Sequence, residues 1–162
     1  MNTLKPKIYH GQKAVDKVCE VYNLKKPLPL PMETIILHEG YCDGEYKDDK
    51  GVITKGVGQT RFYLDKPFPE VYESFVRQTK DLTPQFEFLN EETQAAILSA
   101  MYRGDWQQSR KTRMLFNQGK FKEAAKEFLN NNDYNQRKLN NTNDGVVKRM
   151  DYIAKVIASN EV

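Results

Sequence analysis

Apolar residues recur at helical spacing at the start of the chain. Ala14, Val15, Val18 and Tyr22 fall on one face of residues 11–24, which predicts an amphipathic helix. Lys25 to Pro31 (KKPLPLP) holds three prolines and reads as an extended linker, since proline lacks the N–H a helix interior needs. Pro31 suits the first turn of a second helix, METIILHE, which Gly40 ends. From Tyr41 to Thr60 the period changes. Gly, Asp and Lys alternate with β-branched Val52, Ile53, Thr54 and Val57, predicting a hairpin or three short strands.

Beyond Thr60 the pattern is helical again. Val71, Phe75 and Val76 share a face of Pro69–Lys80. Asn90 is placed as N-cap of a helix over Glu91–Arg103, largely buried by Ala95, Ala96, Leu98, Met101 and Tyr102 and stopped by Gly104. A helical pair over Ser109–Gln118 and Lys120–Asn130 meets at Gly119, and Asn130 to Asp133 reads as a polar break. Asp144 or Gly145 opens a last helix reaching about Ala158. The expected fold class is α+β, mainly helical, with a small N-terminal β lobe, a larger helical lobe and a cleft between them. Residues 1–31 are read as a helical extension with its Pro-rich linker and residues 32–162 as the main domain.

Composition changes this picture little. With 162 residues, 25 Lys and Arg against 22 Asp and Glu give a net charge of +3, a mild preference for anionic partners. Basic residues are dispersed rather than clustered with aromatics, so nucleic acid is not an expected partner. No apolar run has the length of a membrane span, and the first residues lack a secretory h-region. Cys19 and Cys42 read as free thiols of a reducing compartment, with a single bridge as the alternative in an oxidising one. Together with His10 and His38 they lack zinc spacing, so no metal is expected.

The candidate chemistry lies between His38 and Thr60. Glu39 closes an apolar helix, Asp48 follows nine residues on, and Thr54 lies six further in a β-like stretch. Two carboxylates are the minimal equipment for cleaving a glycosidic bond, and a hydroxyl beside them can hold the attacking water. Bland readings stand beside this. Glu39 can be a solvated helix-end charge, Asp48 a turn residue of Asp48-Asp49-Lys50-Gly51, and Thr54 a β-former. Trp106 reads as a packing anchor rather than a sugar platform.

Glu39-Gly40, Tyr46-Lys47-Asp48 and Gly51-x-x-Thr54-x-Gly56-x-Gly58 resemble the front motif of the T4-type phage lysozymes, glycoside hydrolase family 24. Gln94-Ala95-Ala96, residues 115–125 and Gly145-x-x-x-Arg149 are similar to later family elements, so the resemblance runs from Met32 to about Ala158. Gln59 stands where the family often has His, and Met101-Tyr102-Arg103-Gly104 differs from the usual end of the central helix. The resemblance implies a lysozyme-like fold and hydrolysis of the β-1,4 bond between N-acetylmuramic acid and N-acetylglucosamine in peptidoglycan, with inversion and no cofactor. In that scheme Glu39 is the general acid, with a pKa raised for the task, Asp48 the ionised base and Thr54 the water holder. Gln59, Tyr102, Arg103 and Arg149 are the expected substrate contacts. A monomeric endolysin made in the host cytoplasm and acting on the wall after release is the implied biology. A virion-borne lysozyme, an antibacterial effector or a silent wall-binding module are the alternatives.

Overall fold

A computed structural model describes residues 5–162. It is α+β and mainly helical, with one four-stranded antiparallel sheet in the order β1-β2-β3-β4. The chain forms two compact units that divide between Ser74 and Phe75.

The first unit carries the sheet. Strand β1 (Ile8–Tyr9) leads into α1 (Gly11–Tyr22), which buries Ala14, Val15, Val18 and Cys19 along one stripe. Asn23 ends α1 in the left-handed conformation, and its N–H bonds the Cys19 carbonyl. After the prolines, α2 (Leu30–Glu39) buries Pro31, Met32, Thr34, Ile35 and Ile36, and α1 packs on it. Gly40 stops α2 with φ 75°, its N–H bonding the Ile36 carbonyl at 2.7 Å. A Cβ there would stand 2.9 Å from the Tyr9 carbonyl oxygen, so only glycine lets β1 pass this close. The chain then enters β2 (Tyr41–Lys47), followed by β3 (Ile53–Gly56) and β4 (Gln59–Thr60). Glu39 is thereby fixed at the junction of helix and sheet.

Residues 1–31 read as an extension, yet β1 and α1 are built into this unit. Ile8 pairs with Cys42 and Tyr9 with Tyr41, and the Lys7 N–H donates to Asp43 Oδ1 at 2.8 Å. A two-residue strand is too short to leave a period in the sequence.

Helix α3 (Phe68–Leu82) runs from the first unit into the second. The second unit is helical: α4 (Glu91–Arg103), α5 (Asp105–Gln108), α6 (Arg110–Asn117), α7 (Phe121–Phe128), α8 (Asn132–Asn140) and α9 (Gly145–Ala158). Asn90 caps α4 by accepting the Thr93 N–H at 2.8 Å, and Gly104 ends it. Asp144 caps α9 through Val146 and Val147. Helix α9 packs against α4, α7 and α8 around Ile97, Met101, Phe116, Phe128, Met150 and Ile153.

The polar break expected at Asn130–Asp133 is overturned in part: helix resumes at Asn132. Asn131 caps it by accepting the Tyr134 N–H at 2.7 Å, and Tyr134 is the buried residue of the segment, so no apolar stripe marks it in the sequence. Ion pairs hold it instead. Arg137 bonds Asp133 and Asp144, and Arg103 bonds Asp133 from the end of α4. Among the described residues no helix is long and apolar enough to cross a membrane.

Candidate active site

The three residues expected to carry chemistry all belong to the first unit, each fixed differently. Glu39 is the last residue of α2 and partly exposed. Its side chain rests against Gly58, in the turn between β3 and β4: a Cβ on Gly58 would lie 2.3 Å from Glu39 Oε1. Gly58 has φ 58°, so both backbone and space demand glycine here.

Asp48 sits in the β2–β3 turn. Its N–H bonds the Val52 carbonyl at 2.9 Å, and its own carbonyl accepts from Gly51 at 3.0 Å. One carboxylate oxygen, Oδ1, accepts the N–H groups of Lys50 at 2.9 Å and Val52 at 2.8 Å. The turn reading and the catalytic reading of Asp48 are therefore compatible. Two backbone donors orient the carboxylate through Oδ1, and no described residue donates to Oδ2. Its neighbour Asp49 is exposed.

Thr54 is 4% exposed, and its Oγ1 donates to the Val52 carbonyl at 3.0 Å. With its proton committed, that oxygen keeps lone pairs for accepting a further hydrogen bond. Thr54 pairs with Tyr46 on β2 and with Thr60 on β4. Between the Cys42–Gly56 and Tyr46–Thr54 pairs β2 advances four residues while β3 advances two, a bulge of the kind that re-aims side chains. Tyr46 thus stands across from Thr54 and two residues before Asp48. Burial, then the charges of Cys42, Glu39 and Asp48, push its phenol above the ordinary tyrosine value. In the sequence Tyr46 is read only as part of the front motif, and Gly58 as a motif glycine that permits close backbone packing. Spacing along a strand signals neither a bulge nor which turn backs a helix end.

Of the expected substrate contacts, Gln59 lies in the first unit. It is 3% exposed, and its amide nitrogen donates to the carbonyls of Tyr63 at 2.9 Å and Lys66 at 2.7 Å. Its Oε1 accepts the Val57 N–H at 3.2 Å. It borders a cavity of about 180 Å³ with Tyr41, Cys42, Lys55 and Lys66, but its polar atoms serve the 57–66 loop. The remaining three lie in the second unit. Tyr102 packs on Phe75 with ring centroids 4.9 Å apart. Arg103 is held by Asp105 and Asp133, both at 2.8 Å. Arg149 donates from Nε to Ser99 Oγ at 3.1 Å and from Nη2 to the Ser99 carbonyl at 3.0 Å.

Trp106 is fully buried, edge-on to Phe116, with its indole N–H on Thr83 Oγ1 at 2.9 Å: a packing anchor. Cys19 and Cys42 are buried free thiols. Among the described residues no group of three or more His, Cys, Asp or Glu side chains gathers to hold a metal ion. The chain matches no protein-family model and no curated protein sequence.

Proposed function

We propose that this protein is a muramidase of lysozyme-like fold that hydrolyses the β-1,4 bond between N-acetylmuramic acid and N-acetylglucosamine in peptidoglycan, acting as an endolysin on the bacterial wall. The observation that carries this reading is the arrangement in the first unit: Glu39 seated on Gly58, Asp48 clamped through Oδ1 only, and the Thr54 oxygen left as an acceptor. Glu39 gives its proton to the glycosidic oxygen as the bond to C1 breaks. Water adds to C1 from the opposite face and loses a proton to Asp48 Oδ2, which yields the inverted product. Thr54 Oγ1 accepts a hydrogen bond from the water's other O–H, which stays on the product hydroxyl, and so aims the water's lone pair. The resemblance of the Glu39–Gly58 run to the T4-type lysozymes supports the same assignment.

Mass spectrometry of muropeptides released from purified peptidoglycan tests the proposal. Reducing-end muramic acid is expected. Anhydro-muramic ends would mean a lytic transglycosylase, and cut peptide stems would remove the glycosidase reading altogether. Glu39→Gln is expected to lower turnover by at least about a hundredfold, the usual worth of a general acid, while the folded state persists in circular dichroism.

A further inference from the structure

We propose that Phe62 and Lys66 form a glycan-binding subsite of the first unit: the exposed Phe62 ring is a platform for the apolar face of a sugar, and the Lys66 ammonium beside it receives the carboxylate which that sugar carries. The inference deepens the reading of the protein as a hydrolase of the wall glycan and rests on it for the identity of the sugar.

An exposed apolar side chain is by itself ordinary. Phe62 differs in how its loop is built. It lies in the single turn Arg61–Tyr63, which follows β4 directly. Arg61 holds φ 51°, a left-handed conformation that a residue with a side chain keeps only where its surroundings impose it. Gln59 helps to impose it: its buried carboxamide nitrogen donates to the carbonyls of Tyr63 and Lys66. The Leu64 N–H bonds the Arg61 carbonyl at 3.1 Å, and the Lys66 N–H bonds that of Tyr63 at 3.2 Å. A buried amide and a strained residue thus fix a loop whose phenylalanine is left 75% exposed. Tyr63 stands at 80° to that ring, with centroids 5.3 Å apart. A ring held beforehand loses little freedom when a ligand stacks on it.

Lys66 supplies the charge. Its Nζ stands 4.7 Å from the Phe62 centroid and has no carboxylate partner among the described residues. Lys55, which borders the same small cavity, is already paired with Asp65 at 3.8 Å. The negative face of an aromatic ring attracts the C–H face of a sugar. A cation next to it selects a sugar that also bears an acid, as N-acetylmuramic acid does. The position suits the proposed chemistry. Thr60 pairs with Thr54, and Phe62 is two residues further on. Consecutive Cα atoms are about 3.8 Å apart and paired ones at most about 5.5 Å, so the Phe62 backbone stands within about 13 Å of that of Thr54.

Two disaccharides separate the parts of the proposal: N-acetylglucosaminyl-N-acetylmuramic acid, and di-N-acetylchitobiose, which lacks the lactyl carboxylate. Each is titrated into protein carrying ring-labelled phenylalanine, and the Phe62 NMR signals are followed, a readout that needs no turnover. Both sugars are expected to shift Phe62, the acid binding about threefold more tightly at low salt. Phe62→Ala is expected to weaken both about fivefold, read from the backbone amides of residues 61–66. Phe62→Trp restores the loss and Phe62→Leu does not, which tells stacking from apolar area alone. Lys66→Met is expected to abolish the preference for the acid and to keep the neutral sugar bound. Phe62 signals that ignore both sugars, a leucine variant as good as wild type, or equal affinity of wild type for the two sugars overturns the proposal. A protein inert on peptidoglycan that still binds the acidic disaccharide through Phe62 would instead defeat the proposed function and leave the subsite standing.

Discussion

At the scale of single residues, Gly58 links the fold to the proposed chemistry. An alanine there must hold φ near 58° and place its Cβ within 2.3 Å of Glu39 Oε1. The backbone alone costs roughly 1 kcal/mol, and Glu39 has to leave its seat. Gly119 has φ 78°, and a Cβ added there would meet nothing within 4 Å, so it carries the backbone cost without the collision. Gly58→Ala is therefore expected to abolish most turnover, whereas Gly119→Ala loses comparable stability and keeps its activity. Thermal melts with turbidity clearance of wall suspensions compare the two directly. Equal activity in both would mean that the Glu39 seat is unimportant. Glu39, Asp48 and Thr54 stand out in the sequence because identity and spacing are themselves the signal there. The bonding of Gln59 was not legible, for the converse reason. A sequence names an amide but does not say whether it faces outward or bonds the carbonyls of Tyr63 and Lys66.

At the scale of elements, the legible helices are those whose ends are written locally. Helix α4 has Asn90 and Gly104 as its boundaries, and α9 has Asp144. Helix α8 was not legible because ion pairs, one of them with Arg103 thirty residues away, hold it in place of an apolar stripe. Asp133 carries much of that hold. Burial works to raise its carboxyl pKa, but hydrogen bonds from Arg137 and Arg103 outweigh it and keep the group below the usual carboxylate range. The sign follows from linkage. A depressed folded-state pKa gives stability that is complete above the unfolded value of about 3.9 and is lost as pH falls through the folded value. Asp133→Asn is thus expected to melt below wild type at neutral pH, with the gap closing as pH falls toward 2. Thermal melts across that range measure it, and a gap independent of pH would rule out the ion pairs as its source. Strand β1 was hidden by the same kind of distance, since its pairing with β2 spans more than thirty residues.

At the scale of the molecule, periodicity finds helices and strands but not where the chain divides. Helix α3 runs unbroken through Ser74 and Phe75, so no glycine, proline or polar run marks the boundary. Each unit nevertheless contains a natural reporter. Cys19 and Cys42 are buried in the first unit, and Trp106 is buried in the second. Both thiols are expected to resist a thiol reagent in native buffer and to react as denaturant opens the first unit. Fast labelling of either in native buffer would contradict its burial. In the second unit the indole N–H of Trp106 has Thr83 Oγ1 as its acceptor, and both residues are fully buried. Thr83→Val keeps the shape of the side chain and deletes the acceptor, leaving a buried donor unpaired at a cost of about 1–3 kcal/mol. The urea midpoint followed by Trp106 fluorescence is expected to fall accordingly, and Thr83→Ser, which restores a hydroxyl, recovers most of the loss. A valine variant as stable as wild type would mean that packing against Phe116, rather than the hydrogen bond, anchors the tryptophan.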